Sequence, residues 1–175
     1  MGIDAWISVQ SLLWLFLAVF MVHDLEEIIF VERSMTKLYP IALKKAPSFA
    51  APLLKQMAGA TSSKFAIAVL LEFIVFIPIT YFAVERESYA LFVGVNALML
   101  AHVLTHAGQS IFLRAYTPGI ATCPIIVLYT IYLFYRMVAE GLVTMGQIYL
   151  YAPLGLFVIP LVLLGHKLSD VIIRS

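Results

Sequence analysis

Long apolar stretches separated by short polar turns leave this chain of 175 residues few ways to fold. A hydrocarbon layer about 30 Å thick is crossed by about 20 helical residues, which bond every backbone N–H and C=O inside the helix. Five stretches have that character, roughly 6–30, 64–84, 89–113, 120–138 and 147–166. Hydrophobic residues make up 63% of the chain and charged ones 12%, a balance that belongs to membrane-embedded proteins. The expectation is an all-α polytopic membrane protein, a five-transmembrane-helix bundle forming one domain over residues 1–175.

Orientation follows from the connections, because cytoplasmic loops carry the excess of Lys and Arg. With five spans, one side holds Arg33, Lys37, Lys44, Lys45, Lys55, Lys64, Arg114, Lys167 and Arg174, and the other only Arg86 and Arg136. The N-terminus is expected outside and the C-terminus in the cytoplasm. The net charge of +1 gives no reason to expect nucleic acid; the basic side suits an anionic membrane surface. No Lys or Arg precedes the first stretch, so it lacks the basic start of a cleaved signal peptide and is expected to remain. The single cysteine, Cys123, has no partner for an internal disulfide or a cysteine-based metal site. The one long connection, 31–63, is expected to be a cytoplasmic loop, with a short interfacial helix from Pro47 to Gly59 that carries Phe49, Leu53 and Met57 on one side.

Inside the first stretch stand His23-Asp24-Leu25-Glu26-Glu27, four ionisable residues of five. At membrane depth such groups cost about 2.5–3.5 kcal/mol each on insertion scales and are retained where they pair, bind an ion or relay protons. Counting about 1.5 Å of rise per residue brings His23 and Glu27 of the first span, Glu72 of the second, and His102 and His106 of the third to one layer in the cytoplasmic half. His23 and Glu27 share a helix face, as do His102 and His106. Two histidines four apart on a helix can grip one metal, and helix bundles build metal sites from inward-facing Glu and His. The candidate ligands are therefore His23, Glu27, Glu72, His102 and His106, for one or two divalent transition metal ions, Zn or Fe. Glu26 is the candidate general base. The competing reading makes the same groups buried ion pairs that lock helices together. Asn96, nearer the midplane, is either a polar neighbour of the site or an interhelical hydrogen bonder. Arg136 and Glu140 read as a solvated helix end, Tyr129, Tyr132 and Tyr135 as an aromatic stripe, and Pro160 as a bend in the last helix.

These residues resemble the signature of the HXXEE family of small prokaryotic membrane proteins. The H-x-x-E-E helix is followed by an Asn and His helix and a Tyr-x-Pro-Gly turn, here Asn96, His102, His106 and Tyr116-Thr117-Pro118-Gly119. The resemblance covers most of the bundle. It implies that these residues work as one set, adds Tyr116 with Asn96 on the substrate side, and supplies no activity.

The first functional expectation is a metal-dependent membrane enzyme in a prokaryotic cytoplasmic (inner) membrane, a hydrolase acting on a lipid or lipophilic small molecule near the inner leaflet. Iron in the same ligands implies instead a di-iron membrane oxidase or oxygenase. A proton- or metal-coupled transporter is the third reading, against which stand the polar groups' confinement to one half of the layer and the small number of spans.

Overall fold

The computed structural model describes residues 6–45, 47 and 59–173, and among them there are helices and no strands. The elements are α1 (Val9–Lys45), α2 (Ser62–Arg86), α3 (Tyr89–Leu113), α4 (Cys123–Ala139), α5 (Met145–Tyr151), a 3-10 segment (Ala152–Phe157) and α6 (Val158–Ile172). Three of the helical stretches are long and apolar enough to cross a membrane: Ser62–Arg86, Tyr89–Leu113 and the composite Met145–Ile172. The expected count of five is corrected to three. The stretch at 120–138 becomes a helix of 17 residues, about 25 Å long, which falls short of the hydrocarbon layer. The first stretch belongs to α1, where Asp24, Glu26 and Glu27 interrupt the apolar run.

With 37 residues, α1 also overturns the boundary at Val31, where a loop was expected to begin. Val31, Ser34, Leu38 and Ala42 are buried at spacings of three and four, so the helical stripe continues through the polar composition of that region. The short helix expected from Pro47 to Gly59 lies, apart from its two ends, outside the described residues.

One face of α1 organises the bundle. Its first half buries Leu12, Leu13, Phe16 and Phe20, and the same face then buries His23, Glu26 and Glu27. Phe16 packs against Phe76 of α2 and Phe92 of α3, with ring centroids 5.4 and 5.6 Å away, and Phe20 lies 4.9 Å from Phe76. These rings fill the interior of one half of the bundle, and the polar layer begins one turn beyond them.

Polar ties fix the helix ends. The buried Tyr129 hydroxyl donates to the Leu12 carbonyl at 3.1 Å, joining α4 to α1. Arg136 is buried rather than a solvated terminus: its guanidinium donates to the Ile7 carbonyl at 3.2 Å, to the Tyr132 hydroxyl at 2.9 Å and to Glu140. At the other end, Lys45 Nζ donates to the Phe112 carbonyl at 2.9 Å, capping α3, and Lys64 pairs with Asp170 at 2.8 Å.

The last span breaks at Ala152–Phe157, around Pro153, and not at Pro160. Pro160 is the third residue of α6, where a missing N–H removes little from the helical ladder. The break lets two backbones touch. A Cβ on Gly155 would stand 2.1 Å from the Gly94 carbonyl oxygen of α3, and one on Gly94 would stand 2.7 Å from the Gly155 nitrogen. Beyond this point α3 and α6 diverge; the contacts of α3 with the last span lie on the 3-10 segment and α5. Overpacking of this kind costs about 1–3 kcal/mol or more. Gly155→Ala is therefore expected to lower Tm in detergent by roughly 5–10 °C, whereas Gly108→Ala, where a Cβ would meet nothing within 4 Å, should leave it unchanged or raise it.

Candidate metal centre

His23 and Glu27, one helical turn apart on α1, face His102 and His106, one turn apart on α3. Each of the four offers a ligand atom, and these atoms all lie within 4.8 Å of one another. His23, Glu27 and His106 are buried and His102 is partly exposed. His106 Nε2 is 2.7 Å from His102 Nε2 and 3.1 Å from Glu27 Oε1. The His23 ring stands nearly perpendicular to both, its centroid 5.6 Å from that of His102 and 5.0 Å from that of His106. Tetrahedral zinc places its nitrogen ligands about 3.3 Å apart, so the His106–His102 pair, at 2.7 Å, would open by about 0.6 Å to hold one.

The unused nitrogen of His23 makes the case for a cation. His23 is 1% exposed, and its Nε2 has no hydrogen-bond partner among the described residues. Its other nitrogen, Nδ1, lies 2.8 Å from the Thr122 hydroxyl. That hydroxyl donates to Glu26 Oε2 at 2.6 Å, so towards His23 it acts as acceptor. The network thus assigns the proton to Nδ1 and leaves a bare lone pair on Nε2. A metal-binding histidine held by an oxygen on its far nitrogen has this arrangement.

Glu26 has partners other than those of a general base. Its Oε1 accepts from the Tyr116 hydroxyl and from the Ala121 N–H at 3.2 Å; its Oε2 accepts from the Thr122 N–H at 2.8 Å and from the Thr122 hydroxyl. The carboxylate serves the turn between α3 and α4, where it satisfies backbone donors at the start of α4. Tyr116 closes the same bond network and packs its ring 5.8 Å from that of Phe30. In that turn Gly119 has φ +86°, and a Cβ there would stand 2.6 Å from Cε1 of His106. A side chain would push the histidine out of place.

Of the other expected site residues, Glu72 lies on a cavity of about 370 Å³ that also touches His23 and His102, and it is outside the group of four. Asn96 is fully buried and donates from Nδ2 to the Phe92 carbonyl of its own helix at 2.9 Å. Neither Asn96 nor Tyr116 is among the described residues lining that cavity. Two participants were not foreseen. Asp24 is buried beside Glu72 on the cavity wall. Thr122 had a readable signal, since a Thr just before an apolar helix with Pro in its first turn is a helix-start residue.

The family model described as "protein of unknown function with HXXEE motif" matches residues 14–133, more than half of the chain. The chain belongs to this HXXEE family. No curated protein and no solved structure matches it. The matched region contains all four converging residues together with Glu26, Gly119 and Thr122.

If the Thr122 hydroxyl sets the His23 tautomer, Thr122→Val weakens zinc binding by roughly 10–100-fold, the scale seen when a ligand's supporting partner is removed. Thr122→Ser retains it. Competition titration against a zinc chelator reads both variants, and equal affinity in Thr122→Val and the parent would remove the hydroxyl from this role.

Proposed function

We propose that His23, Glu27, His102 and His106 hold one divalent transition metal, zinc before iron, and that the protein is a metal-dependent membrane hydrolase acting on a lipid-like molecule. The observation that carries this reading is the convergence of three imidazoles and one carboxylate from two helices within 4.8 Å, with His23 Nε2 bare; His106 Nδ1 also has no partner among the described residues. Helix locking alone would leave the His23 nitrogen unpaired at a cost of about 1–3 kcal/mol. Imidazole with carboxylate suits zinc or iron better than magnesium or calcium. A bound zinc lowers the pKa of its water to about 7, which makes hydroxide available at neutral pH.

The chain's own residues divide the remaining work. Thr122 and Glu26 orient His23, and Gly119 makes room for the His106 ring. Glu72, on the same cavity wall as His23 and His102, takes the proton-accepting role first expected of Glu26. A di-iron centre would call for further carboxylates in the converging group, whereas Asp24 and Glu72 line the cavity outside it; this favours a single ion. The Lys- and Arg-rich end of the bundle, with Lys45 and Lys64, is placed at the cytoplasmic face of a prokaryotic inner membrane, which sets the centre in the cytoplasmic half of the layer.

Metal analysis of the purified protein tests the centre directly: about one zinc per chain is expected, and two irons per chain would replace the hydrolase with an oxidoreductase. Glu27→Gln keeps size and hydrogen bonding but removes the anionic oxygen, so it should lose metal while melting like the parent once both are treated with chelator. Unchanged metal content together with equal melting losses with and without chelator would make the H-x-x-E-E helix a structural lock. Orientation is read separately: a Lys45→Cys variant should resist membrane-impermeant thiol reagents in intact cells, and labelling from outside would invert the bundle.

A further inference from the structure

The cavity beside the metal centre has a chemistry of its own. Most of its wall is apolar, from Phe20, Leu98 and Met99 on one side to Val158, Ile159 and Leu163 of α6 on the other. It lies between α3 and α6, beyond the contact of Gly94 in α3 with Gly155 in the 3-10 segment. Ile159 is 50% and Leu163 57% exposed, so the cavity borders the outer surface of the bundle. At its inner end stand Asp24, Glu72 and His102. Asp24 is 7% exposed, and its Oδ2 has no hydrogen-bond partner among the described residues. No lysine or arginine is among the described residues lining the cavity.

An unpaired buried carboxylate oxygen needs a donor, and two carboxylates with no lysine or arginine beside them disfavour an anion while the metal centre is empty. The volume lies within the range of small-molecule sites, which are mostly apolar with a few convergent polar groups. We propose that this cavity receives a single-chain lipophile head first, that the head is an amine or hydroxyl donating to Asp24 and Glu72 beside the histidines, and that fatty-acid carboxylates are turned away. The inference names the head-group chemistry of the proposed hydrolase's substrate, which would carry its scissile ester or amide beside that head, and rests on that reading for its catalytic meaning; the binding itself rests on the cavity.

The two are separated by measuring binding with and without metal. A photoreactive alkylamine, incubated with the full-length protein in neutral detergent, should label the segment Ile159–Leu163 in both zinc-loaded and chelator-treated samples. In the chelator-treated sample, excess dodecylamine or dodecanol should suppress the labelling, and dodecanoate should not. Combined Asp24→Asn and Glu72→Gln should reduce labelling about tenfold or more, the weight of a lost hydrogen bond to a charged group. Leu163→Trp, which leaves both carboxylates in place and fills the cavity, should block it. Competition by dodecanoate equal to that by dodecylamine, or labelling indifferent to either the carboxylate pair or Leu163→Trp, would overturn the proposal. Labelling with the expected pattern in a protein that binds no metal would leave the cavity's ligand class standing and remove the hydrolase.

Discussion

The Glu26 carboxylate is the interaction on which the centre depends. It reaches from the middle of α1 to the turn between α3 and α4 and accepts from Tyr116, Ala121 and Thr122. Backbone donors at a helix start need partners, and the Glu26 carboxylate supplies them. The bond that satisfies them also holds the Thr122 hydroxyl against His23 and sets Gly119 against His106. One charged group therefore positions two histidines that it does not touch. Losing it would strand the donors of the turn and release both rings, so its effect on the centre is indirect and large.

The aromatic interior gives this polar layer a rigid neighbour. Phe16, Phe20, Phe76 and Phe92 interlock one turn away from His23 and fix the separation of α1, α2 and α3. Close-packed interiors resist small displacements, and side chains anchored on helices hold a geometry better than side chains on loops. The four converging residues all come from helices, and the turn supplies only their supports. This division explains why the ligand types recur at helical spacing while the supporting groups are scattered between Tyr116 and Thr122.

What could be read in the sequence was the periodic part. Residues four apart on one face, His23 with Glu27 and His102 with His106, are placed by helix geometry alone, and the depth count brings the two pairs to one layer. Partner choice was not legible. Glu26 is adjacent to Glu27 and was given chemistry, yet the donors that occupy it lie about 90 residues away in the chain and have no periodic relation to it. The length of α1 beyond Val31 was hidden because a loop and an amphipathic helix share the same polar composition, and only the spacing of Val31, Ser34, Leu38 and Ala42 separates them. Proline is the usual cause of a break in a helix, and the last span has two; the break falls at Pro153 and not at Pro160, and there Gly155 meets Gly94 of another helix. Asp24 fell between the two paired positions and was left unassigned, although its burial makes it as costly as its neighbours.

The meeting of Gly94 with Gly155 has a mechanical consequence. Two helices that touch backbone to backbone at one point and separate beyond it form a lever with its fulcrum at the contact. His102 lies eight residues from Gly94, a lever arm of about 12 Å, so a change of about five degrees in splay moves the far walls apart by about 1 Å. The width of the passage beside the histidines is thereby coupled to the tilt of α6, which the thickness of the surrounding lipid can alter. A change in bilayer thickness then alters the width of that passage with no change in any residue that lines it.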